Sequence, residues 1–200
     1  MVLKEKLVNY FSDHFSCPLR KWKMDFVLNF KRLNESEARN LELSFSMEEI
    51  KEAMWSCDEN KAPCSDDFNL FFRKCWGVVQ NDLFEMLREF YITGKLERSI
   101  NLSFIVLIPK NENLIRISEF RTICLVSSLY KIVAKVLLRR LREVIGGVVS
   151  DTQCAFIRGR QIFDGILIAN KVIHSIKKKA VERGSLVFKL DFSKAYDCVK

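Results

Sequence analysis

Residues 102–126 read Leu102-Ser-Phe-Ile-Val-Leu-Ile-Pro-Lys-Asn-Glu-Asn-Leu-Ile-Arg-Ile-Ser-Glu-Phe-Arg-Thr-Ile-Cys-Leu-Val126. Two short apolar runs rich in β-branched and aromatic residues, 102–108 and 120–126, flank a polar connection. Pro109 closes the first run. Runs of this length and composition make strands, and the short polar link between them predicts a hairpin. The sequence on both sides is helical in pattern, so the reading is α+β.

On the carboxyl side, Leu129, Ile132, Val133, Val136, Leu137 and Leu141 recur at helical spacing and predict an amphipathic helix over 128–145. Lys131, Lys135, Arg139 and Arg142 form a basic ridge on another face, and Gly146-Gly147 should end the helix. A second helix is expected over 161–179. Ser185-Leu-Val-Phe-Lys-Leu-Asp191 reads as a strand, and Phe192-Ser-Lys-Ala-Tyr-Asp-Cys-Val199 as a turn into a helix.

On the amino side, Leu83, Phe84, Leu87 and Phe90 place one or two helices between 68 and 90, stopping at Thr93-Gly94. Ser46 and Glu49 form an S-x-x-E capping box, so a helix should begin at Ser46 and stop before Pro63. Residues 1–15 suit a helix with Leu3, Leu7, Tyr10 and Phe11 on one face. The stretch from there to residue 45 reads as an irregular connection. Residues 1–45 thus form an amino-terminal helical and connecting segment, and the organised domain spans 46–200.

Composition bounds the function. The chain has 200 residues and a formal net charge of +8, with 48% hydrophobic residues, 7 Gly and 3 Pro, which excludes disordered and low-complexity classes. Residues 1–100 hold 15 basic and 17 acidic side chains, whereas 101–200 hold 18 and 8, a net +10. A polyanion is the natural partner for the second half, and a solvated basic surface is the plain alternative. No apolar run approaches the roughly 20 residues that cross a bilayer, and the start lacks a secretory pattern. Seven scattered cysteines, with no C-x-x-C pair, and two distant histidines argue against zinc or a disulfide framework. An intracellular setting, nucleus or cytoplasm, is expected, not a secreted one.

Three places carry potential chemistry. Asp191 ends a strand, where a carboxylate can hold Mg²⁺; taken alone, a helix N-cap is the commoner use of such a residue. Arg158-Gly159-Arg160 offers two guanidinium groups around a turn, or a solvated loop. Lys110 and Arg121 mark the ends of the hairpin strands and could grip a triphosphate; by themselves they read as surface charges.

Six segments in order resemble the amino-terminal part of the reverse transcriptase domain of LINE-like, non-LTR retrotransposons. They are Lys61-Ala-Pro-Cys-Ser-Asp66, similar to K-A-P-G-P-D-G, and Phe104-Ile-Val-Leu-Ile-Pro-Lys110. Phe120-Arg-Thr-Ile-Cys-Leu125 follows, similar to F-R-P-I-S-L, then Tyr130-Lys-Ile-Val-Ala-Lys-Val136 with Arg140-Leu141. Gln153-Cys-Ala-Phe156 with Gly159-Arg-Gln-Ile162 and Asp164 comes next, and Phe192-Ser-Lys-Ala-Tyr-Asp-Cys-Val199 completes the series.

The resemblance implies part of a right-hand polymerase fold: helical fingers with a β-hairpin, and the first palm strand. It implies RNA-directed DNA synthesis, with an RNA template, a DNA primer and deoxynucleoside triphosphates as partners and two Mg²⁺ ions in a complete domain. Asp191 would be the catalytic carboxylate, holding metal with the carbonyl of Phe192. Lys110, Arg121, Lys194, Ala195 and Tyr196 would bind the nucleotide, with Tyr196 excluding a 2′-hydroxyl. Gly159 and Arg160 would approach the template.

The later Asp-Asp motif, the rest of the palm and the thumb do not follow Asp191 in this sequence. Cys64 and Asp67 stand where the family has Gly, and Thr122 where it has Pro, which should free a preset turn. The expectation is therefore a truncated, inactive copy. The alternatives are a non-catalytic nucleic-acid-binding remnant using residues 101–200, and an interaction module for which the charge is incidental.

Overall fold

The computed structural model describes residues 2–16, 31–57, 71–179 and 186–189. The chain divides into two compact units, Lys31–Arg160 and a second that joins Met1–Phe30 with Gln161–Lys200.

The central unit contains five α-helices and one hairpin among its described residues, with a single 3-10 turn at Ile117–Glu119 inside the hairpin connection. They are α2 (Glu35–Leu41), α3 (Met47–Trp55), α4 (Phe71–Lys74), α5 (Trp76–Thr93), β1 (Ser103–Pro109), β2 (Phe120–Val126) and α6 (Ser128–Val148). The second unit contributes α1 (Val2–Phe15) and α7 (Ile162–Lys179).

The core is where α3, α5 and α6 meet. Ile50, Leu87 and Val136, one from each helix, are fully buried, with Ala53, Met54, Leu83, Ile132 and Val133 around them. Each large aliphatic side chain taken from water contributes about 1.5–3 kcal/mol, so this three-helix contact is the main apolar stabilisation of the unit. Phe45, on the loop before α3, closes one end and stacks on Phe90 at 6.4 Å between ring centres. Trp55 and Trp76 meet edge to face near the junction of α3 and α5.

Local signals set the helix ends. Ser46 caps α3: its hydroxyl accepts from the Glu49 amide, and the Glu49 carboxylate accepts from the Ser46 amide. Gly94 ends α5 in the left-handed conformation, φ 65°, and its amide reaches Phe90 O. Ser127 caps α6 by accepting from the Tyr130 amide, while its own hydroxyl donates to Ile100 O at 2.8 Å. That one residue ties the outgoing strand of the hairpin to the segment leading into the incoming strand.

Several expectations are corrected. Residues 35–41 form a helix where an irregular connection was expected. Asn34 and Glu37 make a capping box of the kind seen at Ser46, enough to nucleate this short turn. The helix over 128–145 continues to Val148, through Gly146 and Gly147, because two glycines weaken a helix without ending it. Residues 186–189, the described part of the strand expected at 185–191, form no sheet ladder among the described residues. The remaining residues of that expected strand, 185 and 190–191, lie outside the described residues.

In α1, Leu7, Tyr10, Phe11 and His14 are half-buried, close to the expected face, whereas Leu3 is exposed. No helix of the described residues is long and apolar enough to cross a membrane. Cys57, Cys75, Cys124 and Cys154 are free thiols.

Candidate nucleotide and nucleic-acid interface

The hairpin register decides what its charged residues can do. Ile108 pairs with Arg121 and Pro109 with Phe120. The Lys110 amide then donates to Glu119 O at 3.2 Å, carrying the pairing one step further. Side chains alternate across a sheet, so Lys110, Ile108, Arg121 and Glu119 share one face. The two cations expected to grip a triphosphate are thus diagonal neighbours at the turn end of the hairpin.

The tip around them is ordered by its own hydrogen bonds. Lys110 Nζ donates to Ser118 O at 3.0 Å, and the Glu119 carboxylate accepts from the amides of Ile115 and Arg116 at 2.9 and 2.8 Å. The Arg116 and Ile115 amides, in that order, hold the Glu119 carboxyl below the ordinary glutamate range, with a smaller contribution from Lys110. Its negative charge is therefore directed into the turn. Arg121 is exposed and makes no hydrogen bond or ion pair among the described residues.

Thr122 sits inside β2, opposite Leu107. The family proline would remove an amide there; threonine is a good strand residue, so the substitution frees no turn.

The basic ridge of α6 is only partly available. Lys135 Nζ donates to Ser56 O at 2.5 Å, and Arg139 pairs with Glu52. Arg140, which the ridge did not include, lies against α3 and the loop before it. Its Nε and Nη2 each meet a Glu49 oxygen at 2.8 Å, and the remaining donors reach the carbonyls of Leu41, Leu43 and Ser44. The guanidinium also covers the Phe45 ring at 4.6 Å. Much of the positive charge of this helix therefore serves packing of α2 and α3 against α6. Arg142 remains exposed.

Residues 149–160 form the loop after α6. Gly159 has φ 80°, a conformation open to glycine. Arg160 is turned into the loop and its side chain is 19% exposed. Nη1 donates to Ser150 O and Gln153 O, at 2.6 and 2.9 Å, and Nη2 to Gly146 O at 3.0 Å, with Asp151 Oδ1 at 3.4 Å. It holds the carboxyl end of α6 and the loop together, favourably placed for a cation at a helix C-terminus. Arg158, in contrast, is exposed and unpartnered among the described residues.

Asp191, Phe192, Lys194, Ala195 and Tyr196 lie outside the described residues. Among the described residues no three His, Cys, Asp or Glu side chains converge to hold a metal ion. An open groove of about 870 Å³ along the end of α5, bordered by Asp82, Glu89, Leu96 and Ile100, touches none of the expected site residues.

The family model described as reverse transcriptase (RNA-dependent DNA polymerase) matches residues 108–200, a span holding every expected site residue. The "Transposon TX1 uncharacterized 149 kDa protein" of Xenopus laevis is 31% identical over 169 residues, 84% of this chain. The chain belongs to the reverse transcriptase family of non-LTR retrotransposons. A second relative, the "Retrovirus-related Pol polyprotein from type-1 retrotransposable element R1" of Bradysia coprophila, is 24% identical over 164 residues, 80% of the chain. The chain spans 13% and 16% of the lengths of those two relatives.

Proposed function

We propose that this chain serves RNA-templated DNA synthesis as the fingers and the first palm strand of the polymerase, gripping an incoming deoxynucleoside triphosphate. The observation that carries this reading is the shared face of Lys110 and Arg121 at the hairpin tip, with the Arg121 guanidinium exposed and unpaired among the described residues. An unpaired guanidinium offers a planar fork that suits phosphate oxygens, and Lys110 adds a point charge beside it.

The Phe192-Ser-Lys-Ala-Tyr-Asp-Cys-Val199 motif supplies the remaining roles. Asp191 and the Phe192 carbonyl would hold Mg²⁺, which in a complete domain would supply neutralisation of the triphosphate charge and activation of the primer hydroxyl. The motif assigns backbone near Lys194 and Ala195 to the phosphates and Tyr196 to the exclusion of a ribose 2′-hydroxyl. Gly159 and Arg160 shape the loop proposed to lie along the RNA template. The structural work of Arg160 makes its part in that contact a positioning one.

Fluorescent deoxynucleoside triphosphate titrated into the 200-residue chain tests the central claim. Arg121→Ala should weaken binding about tenfold, the loss of one charge-assisted contact, and Lys110→Ala by less. Monophosphate should bind far more weakly than triphosphate. Equal affinities for wild type and both variants would overturn the reading and leave a nucleic-acid-binding surface without a nucleotide site.

A further inference from the structure

We propose that Phe156 is a stacking platform for an unpaired base of a single-stranded RNA; the proposal rests on the polymerase reading above and assigns the chemistry of its template contact. Phe156 combines two unfavourable features. Its φ is 65°, in the left-handed region that disfavours a bulky side chain, and its side chain is 98% exposed. Glycine or asparagine would remove both at once. A bulky residue held in such a conformation points to a use of the side chain.

The backbone around it is fixed. Gln153 Nε2 donates to Ala155 O at 3.1 Å on one side, and the Arg160 amide donates to Ile157 O at 3.2 Å on the other. Ala155 and Ile157 on either side are half-buried, so the ring turns outward between them. Arg160 anchors the same loop through Ser150, Gln153 and Gly146. The ring is thus presented by an ordered support.

Its surroundings suit nucleic acid. Arg158, two residues on, is exposed and has no hydrogen-bond or ion-pair partner among the described residues, so it can meet a phosphate while the ring meets a base. At Gly159 the space where a side chain would project is empty. A ring reaches the face of a base only where that base is not stacked inside a duplex, which selects a single strand.

The test uses the 200-residue chain and a fluorescein-labelled single-stranded 12-mer RNA, with the same RNA annealed into a duplex as comparison. Phe156→Leu should weaken single-strand binding about tenfold, a typical loss for one base–aromatic contact, and leave duplex binding little changed. Phe156→Trp should bind at least as well as wild type. The slope of log Kd against log salt should be the same for Phe156→Leu as for wild type, because an apolar contact releases no counterions. Arg158→Ala should lower that slope by about 0.7.

Phe156→Gly separates function from packing: its melting temperature should rise as its RNA affinity falls. Single-strand affinity unchanged in both Phe156→Leu and Phe156→Gly overturns the stacking role alone. A fall in stability for Phe156→Gly also overturns it, since the ring would then be packing within the protein. A wild-type chain that binds no RNA at low salt overturns the template reading together with this proposal.

Discussion

Arg140 on α6 and Glu49 on α3, 91 residues apart in sequence, meet in a two-pronged pair with both contacts at 2.8 Å. The arginine side chain is 10% exposed and the glutamate 34%. Glu49 is also the residue that closes the capping box at the start of α3. One carboxylate thus fixes where α3 begins and where α6 lies against it. Because Arg140 also donates to the carbonyls of Leu41, Leu43 and Ser44, the α2–α3 connection is fastened to the same helix from which the hairpin springs.

Arg140→Met should destabilise the chain by about 3 kcal/mol, because it strands a half-buried carboxylate and three carbonyls while preserving the apolar stem. Arg140→Lys should recover less than half of that, since an ammonium cannot match the fork. Denaturant midpoints check both values. A loss below about 0.5 kcal/mol for Arg140→Met would mean that solvent screens the pair.

Glu49 predicts an acid limb. The Arg140 hydrogen bond is the largest influence on its carboxyl and lowers its pKa, with burial opposing. A carboxyl depressed in the folded state contributes stability that is complete above its ordinary value near 4.5 and is lost as pH falls through the folded value. Wild type should therefore lose stability below about pH 4.5. Glu49→Gln should start lower at pH 7 and fall less steeply in that window. Parallel curves from urea melts between pH 3 and 7 would contradict the linkage.

How much of this was legible in the sequence depended on range. Ser46 with Glu49, Thr93-Gly94 and the two apolar runs of the hairpin are local patterns, and the elements they specify formed as expected. The capping box at Asn34 and Glu37 is equally local, but no apolar run follows it, so the pattern does not announce a helix. Lys135 and Arg139 looked like a nucleic-acid ridge because their spacing shows a helix face, not what lies across from it; α3 brings Ser56 and Glu52 there. Arg160 read as a template contact, and its carbonyl acceptors became visible only once the loop was folded. Phe156 was legible as the end of the Gln153-Cys-Ala-Phe156 segment, but its positive φ and its exposure are properties of the folded loop. Asp191 and Tyr196 were legible only as a motif.

Arg160 should matter to the loop even without nucleic acid. Arg160→Ala removes a part-buried guanidinium that serves several carbonyls, and should cost about 1–2 kcal/mol. Hydrogen exchange should speed up at residues 146–160 and remain unchanged in the three-helix core. Arg160→Lys should restore part of the protection. Unchanged exchange in Arg160→Ala would return the residue to a purely ligand-facing role.

Glycine substitutions should change sign along the chain. Gly146 and Gly147 lie within α6, and a methyl group added at either meets nothing within 4 Å. Alanine there removes unfolded-state freedom at no steric cost, so Gly146→Ala should stabilise by about 0.5–1 kcal/mol. Space is equally open at Gly94, but its φ of 65° is the obstacle. Gly94→Ala should destabilise by about 1 kcal/mol as the left-handed conformation is forced on a Cβ. Thermal melts of the two variants should therefore shift in opposite directions. A loss of stability in Gly146→Ala would mean that α6 ends before Gly146 in solution, as the glycine pair first suggested.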